Sequence, residues 1–219
     1  IPEENDDEEH WKEYESQGYK VVEAPLEFKK NFEGEVIMLR GNHDLQHLEE
    51  RGFECCCFCP SVYVYMNEVK EEFLNATQWV YVMDDLVFSH AGISKVFWEK
   101  LGLGEPTKEH IMMINEYPVS SIFAFTPSSP FDYYGDSTCQ PCTWIRPDTL
   151  LRSHIEGWNQ VVGHTRVASP GEVIKTLSEG IIKRYDVTMK ELWCVDALPD
   201  LYMAIEDGVR EMRSVNISQ

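Results

Sequence analysis

No stretch of this 219-residue chain approaches the roughly eighteen consecutive apolar residues of a membrane-crossing helix, so no membrane partner is expected. The opening residues, IPEENDDEEH, lack the basic start and apolar core of a secretory signal. Basic side chains are scarce: 19 Lys and Arg stand against 38 Asp and Glu, a formal net charge of −19. That acidic excess repels phosphate backbones and argues against nucleic acid as a partner. Disulfide stapling is poorly served too. The cysteines number seven, an odd count, and Cys55, Cys56 and Cys57 are adjacent, which pairs awkwardly. Reduced thiols and a cytoplasmic setting are the expectation. There is no internal repeat. What the chain does have is 43% hydrophobic residues, 12% aromatic residues and six Trp, enough for a single domain over residues 1–219 with a sizeable core.

The pattern along the chain reads as mixed α/β, with a β-rich C-terminal half. Residues 5–17 carry many acids around Trp11 and Tyr14 and predict an exposed helix. Residues 35–40 form an apolar run leading into Gly41 and predict a buried strand, followed by helices over 45–51 and 61–74. Residues 78–83 and 86–89 flank Asp84-Asp85 as a hairpin would. Helices are expected over 95–101, 107–115 and 148–157, the last with Asp148 as its cap. Pro127, Pro130, Gly135 and Pro141 mark 125–141 as a long loop, and 95–141 as a whole reads as a helical and loop insertion. Strands are expected over 160–162, 173–177, 181–187, 191–195 and 201–205.

Three short motifs place a metal-competent side chain in a turn after a strand. They are Leu39-Arg40-Gly41-Asn42-His43-Asp44, Ser89-His90-Ala91-Gly92 and Val162-Gly163-His164-Thr165. Strand ends along one rim of a sheet gather side chains distant in sequence, and ligands bind there in open sheets. Imidazole nitrogens and an Asn carbonyl suit a borderline divalent metal such as Mn, Fe or Zn. A single SHAG or GHT is weak, because a histidine satisfied within a turn is the commoner case. LRGNHD is more specific, since Arg, Asn and His at that spacing have little structural reason to occur together.

With TWIRP at 143–147 and CVDA at 194–197 added, the chain resembles the calcineurin-like metallophosphoesterases, and within them the phosphoprotein phosphatase branch of bacterial and phage type. The resemblance runs from about residue 35 to residue 206. It implies an α/β (α+β) four-layer sandwich, two packed mixed β-sheets flanked by helices. It further implies that Asn42, His90 and His164 ligate one metal of a two-metal site (Mn, Fe or Zn), with His43 protonating the leaving oxygen. Arg40 and Arg146 would grip the phosphoryl oxygens, a task suited to a planar guanidinium. Two divalent ions would activate water for in-line attack on a phosphomonoester. The substrate class this implies is a phosphorylated protein carrying phosphoserine or phosphothreonine. Alternatives are a small phosphoester such as a dinucleoside polyphosphate or phosphometabolite, and, in another class, an inactive module that binds phosphorylated partners. Arg166 follows the GHT where many nucleotide phosphodiesterase relatives carry His, which favours the phosphatase branch.

The sequence departs from that family in one large respect. The D-x-H and GDxxDRG motifs that would supply the first metal's ligands, the bridging Asp and the carboxylate orienting His43 are not present, and Asp6, Asp7 and His10 do not reproduce them. The expectation is that N-terminal strands carrying those motifs precede Ile1. Plainer readings stand beside the sharper ones. Asp44 either orients His43 or caps a helix. His10, His47, His110 and His154 read as surface or hydrogen-bonded core residues. Cys55, Cys56, Cys57 and Cys59 with Cys139 and Cys142 read either as buried small apolar groups or as thiolate ligands of a structural zinc. Trp144 reads as core packing beside Arg146.

Overall fold

The computed structural model describes residues 8–48, 58–126, 137–165, 192–195 and 201–214. Their fold is mixed α/β, and they group into two compact units, one within residues 1–78 and one within 79–219. The expected strands over 173–177 and 181–187, Arg166, and Cys55 to Cys57 lie outside the described residues.

In the first unit, α1 (Glu8–Asn31) runs well past the predicted end near residue 17. Val22 and Leu26, four residues apart on one face, are buried and continue the helix as an apolar stripe. The helix also absorbs Pro25, which has no N–H to offer the preceding turn. Residues 35–40 yield a much shorter strand than expected, β1 (Met38–Leu39). It pairs in parallel with β2 (Thr77–Gln78), and Arg40 N–H extends the ladder to Gln78 O at 2.8 Å. Between them come α2 (Asn42–Leu48), α3 (Pro60–Glu68) and α4 (Lys70–Ala76). The single helix expected over 61–74 is broken at Val69, whose φ of −106° and ψ of 14° leave the helical range.

The second unit is built on a mixed sheet, in spatial order β3 (Val80–Met83), β4 (Leu86–Ser89), β5 (Asn159–Val162) and β6 (Leu192–Cys194). Strands β3 and β4 form the expected hairpin, with Asp84 at φ 53° in the left-handed region that Asp tolerates. Strand β5 lies parallel to β4 on one side and to β6 on the other. The crossover from β4 to β5 carries α5 (Lys95–Leu101), α6 (Lys108–Met112) and α7 (Pro147–Arg152). α7 starts at Pro147 with Arg146 as its N-cap residue, so Asp148 lies inside the first turn and does not cap it. The core gathers Trp79, Ile93, Phe97, Ile111, Phe123 and Ile145, all fully buried. Trp79 and Phe123 stack with ring centroids 3.8 Å apart.

Side-chain amides hold the ends of this sheet. Asn115 Oδ1 accepts from the N–H groups of Trp79 and Val80, and its Nδ2 donates to Val80 O. Gln160, fully buried, bonds both the N–H and the C=O of Ile93 and so fixes the chain just after β4. Gly92 in that segment has φ 113°, and a Cβ there would meet Leu150 at 2.2 Å. A second hairpin closes the described chain, β7 (Leu201–Glu206) with β8 (Val209–Ser214), turning at Asp207-Gly208, both with positive φ. Among the described residues no helix is long and apolar enough to cross a membrane.

Candidate functional site

The register of β4 and β5 sets Ser89 opposite Val162, so the two parallel neighbours end together and the residues after them emerge side by side. Those residues are His90 and Gly163-His164. Gly163 N–H donates to His90 O at 2.9 Å, which carries the pairing one step beyond the strands. His90 Nε2 lies 3.1 Å from His164 Nδ1, and the rings meet edge to face with centroids 5.0 Å apart. The contact needs one nitrogen protonated and the other bare, unless a cation takes the place of the shared proton. At the end of β6, Val195 N–H reaches Val162 O at 2.8 Å, so three parallel strand ends converge here.

The backbone at His164 is unusual. Its φ is 58°, in the region that favours glycine, and Thr165 N–H bonds back to Gly163 O at 2.6 Å, closing a three-residue turn around the histidine. A non-glycine residue held this way costs of order 1 kcal/mol, and such positions cluster at functional sites. Trp144 packs edge to face on His164 at 5.7 Å and against Phe125 at 5.2 Å, so the tryptophan expected as core packing is half-buried in the histidine wall. Arg146 Nη1 donates to the Thr165 hydroxyl at 3.2 Å, bringing a half-buried guanidinium beside the residue after His164. Ser89 Oγ is buried, and no described residue bonds it. Sequence reasoning quoted Thr165 within its motif without assigning it a role; a hydroxyl directly after the turn histidine was the available signal.

Arg40, Asn42 and His43 belong to the first unit. Asn42 and His43 stand in the first turn of α2, which begins three residues before its predicted start. Asn42 is buried and His43 exposed, with His43 Nδ1 3.3 Å from Gln46 Nε2. Asp44 Oδ2 accepts the N–H of Gly41 at 2.6 Å. It therefore caps the helix by reaching back from the third helical position. Burial pushes the Asp44 carboxyl up to about 6, against the opposing pull of the Gly41 bond and the Arg40 charge. Arg40 is 7% exposed. Its Nε donates to Thr77 Oγ1 at 2.7 Å and its Nη2 to the carbonyls of Leu74 and Thr77, so it closes the C-terminal end of α4. Burial lowers its pKa.

No family model, curated protein or solved structure matches this chain.

The remaining candidates have structural partners. His47 Nδ1 bonds His43 O at 2.8 Å, its Nε2 accepts Cys59 N–H at 3.1 Å, and burial lowers its pKa. His154 is likewise lowered by burial and bonds Leu151 O, while His110 bonds Glu105 O. Cys142 is buried and its thiol is pushed up to about 12, the behaviour of a small apolar group. Cys59 and Cys139 are half-buried thiols beside Ser61 and Ser137. Among the described residues no three His, Cys, Asp or Glu side chains gather as a metal-binding group; the His90–His164 pair supplies two donors.

Proposed function

We propose that the chain is a metal-dependent phosphatase of the calcineurin-like metallophosphoesterase type, with a phosphomonoester, phosphoserine or phosphothreonine in protein, as substrate. The observation that carries this reading is the His90–His164 pair at the ends of adjacent parallel strands, with Arg146 beside it. The donor chemistry fits a divalent metal. With metal–nitrogen bonds of about 2.1 Å, two neighbouring ligands of one ion lie about 3.0 Å apart at octahedral angles and about 3.4 Å at tetrahedral ones, and the two imidazole nitrogens are 3.1 Å apart. A divalent metal held by this pair would supply charge neutralisation and an activated water.

The chain's own residues do the rest. Arg146 holds phosphoryl oxygens in a fixed orientation by paired N–H donors. His43, exposed at the start of α2, gives its proton to the leaving alkoxide. Arg40 joins in binding phosphate in this reading, although its Nε and one Nη already serve α4. The turn at Gly163-His164-Thr165 holds the imidazole beside His90 before any ligand arrives.

Calorimetric titration of the protein with Mn²⁺, alongside hydrolysis of p-nitrophenyl phosphate and a phosphoserine peptide, tests this reading. The expected result is Mn²⁺ binding that His164→Ala abolishes, and chelator-sensitive hydrolysis that His43→Ala abolishes while Mn²⁺ binding persists. Mn²⁺ binding equal in the wild type and His164→Ala would remove the pair from the metal site. Phosphate binding without any turnover would instead favour the inactive phospho-binding module.

A further inference from the structure

The first unit carries a half-open cavity of about 470 Å³, within the range that holds small organic ligands. Its walls are apolar, with Val22 and Pro25 from α1, Leu39 from β1, Val62 and Met66 from α3, and Phe73 from α4. One end is polar, formed by His43, Asp44, His47, Cys59 and Thr77. Most of the hydrogen-bonding capacity there is already committed. Both ring nitrogens of His47 are engaged, by His43 O and by Cys59 N–H. The Thr77 hydroxyl donates to Phe73 O and accepts from Arg40 Nε. Cys59 Sγ meets the Ser61 hydroxyl at 3.1 Å, and His43 Nδ1 meets Gln46. Asp44 is the exception. Its Oδ2 takes the N–H of Gly41, and among the described residues nothing bonds its Oδ1.

An apolar cavity whose spare polar atom is a carboxylate oxygen selects a donor. Charge selects the same way. Residues 1–78 carry 19 acidic against 7 basic side chains. The nearby cation, Arg40, is committed to Thr77 and Leu74. A carboxylate on the same body would meet the like charge of Asp44, and an alcohol could offer it only an uncharged donor.

We propose that this cavity binds a small organic cation, a primary amine on an aliphatic or aromatic body, with its ammonium group on Asp44. The site needs neither metal nor phosphoryl chemistry, so it stands or falls apart from the phosphatase reading. The test is calorimetric titration of the full chain at neutral pH and low salt with phenylbutylamine, phenylbutanol and phenylbutyrate, which share one apolar body. The amine is expected to bind about tenfold more tightly than the alcohol, the gain of one charge-assisted hydrogen bond, and the carboxylate most weakly. Asp44→Asn, which keeps an acceptor for Gly41 N–H, should bring the amine down to the alcohol's affinity. Met66→Trp, which fills the apolar end, should weaken all three. Equal affinities for amine and alcohol, amine binding unchanged in Asp44→Asn, or no binding of any of the three would overturn the proposal. The comparison of ligands on the wild type decides the matter even where a variant fails to fold.

Discussion

His164 carries two burdens that single substitutions can separate. Its imidazole faces His90 at 3.1 Å, and its backbone sits at φ 58°, which a Cβ disfavours. His164→Ala removes the ring and keeps the strain, whereas His164→Gly removes both. Thermal unfolding should therefore find the glycine variant more stable than the alanine variant, by about 1 kcal/mol. Equal stabilities would mean that the turn carries no strain. The two arginines divide in a comparable way. Arg40 is buried and closes the end of α4 through Thr77 and Leu74. Arg40→Ala leaves those carbonyls unmet and should cost about 3 kcal/mol or more in urea unfolding. Arg146 is half-buried and donates to a side-chain hydroxyl, that of Thr165, rather than closing a helix. Arg146→Ala should cost less than about 1 kcal/mol in the same experiment while weakening phosphate binding at least tenfold. The order reversed would exchange their roles. At this scale the sequence was informative about the second unit, where the SHAG and GHT motifs named two side chains that do meet. It did not show that Arg40 closes a helix, because the helix it closes ends at Ala76, far along the chain.

At the level of elements, α2 shows how a helix start can be misread. Gly41 and Asn42 look like turn residues, yet Asp44 reaches back to Gly41 N–H and starts the helix at Asn42. Later in the same helix, His47 is held neutral. It stacks on Phe58 at 5.1 Å, bonds His43 O through Nδ1, and receives Cys59 N–H at Nε2, a bond that a protonated Nε2 cannot accept. Its pKa is lowered, first by burial and then by the neighbouring His43 charge. A histidine depressed in the folded state contributes stability that is full above the unfolded value of roughly 6.5 and is lost as pH falls below it. His47 therefore makes the unfolding free energy fall as pH drops below about 6.5, against the rise contributed by Asp44, whose carboxyl is pushed up to about 6, and His47→Gln, which keeps a donor and an acceptor, should remove the falling part. A slope unchanged in the variant would assign the effect to His154, which burial lowers in the same direction. Strand β8 was missed for a different reason. Its residues VREMRS are largely polar, and it is held by ion pairs of Arg213 with Glu206 and Glu211 and by the Asp207-Gly208 turn. Only the Asp-Gly pair was a hairpin signal in the sequence.

Over the whole molecule, charge outweighs every other feature. A formal net charge of −19 on 219 residues sets acidic side chains against one another in the folded state. The mixed α/β class was legible because β3 and β4 are apolar runs bounded by turns; the division into two units was not, since no Pro- or Gly-rich linker lies near Gln78–Trp79. What separates them is packing: Gln78 pairs within the first unit through β1, while Trp79 is buried against Phe123 and pinned by Asn115 in the second. Local ion pairs such as Arg210 with Asp85 and Arg213 with Glu206 favour folding and are weakened by salt. Self-repulsion favours unfolding and is weakened by salt as well, so the two effects oppose each other as ionic strength rises. The exposed pairs contribute at most about 1 kcal/mol each. The repulsion sums over 38 acidic groups with 19 basic ones to offset them. Screening the repulsion should therefore win. As the screening length falls from about 30 Å in 0.01 M salt to about 8 Å in 0.15 M, the melting temperature should rise. Calorimetric melting across that range of NaCl reads the balance directly. A melting temperature that falls with salt would mean that specific ion pairs, rather than the field of the whole chain, govern its stability.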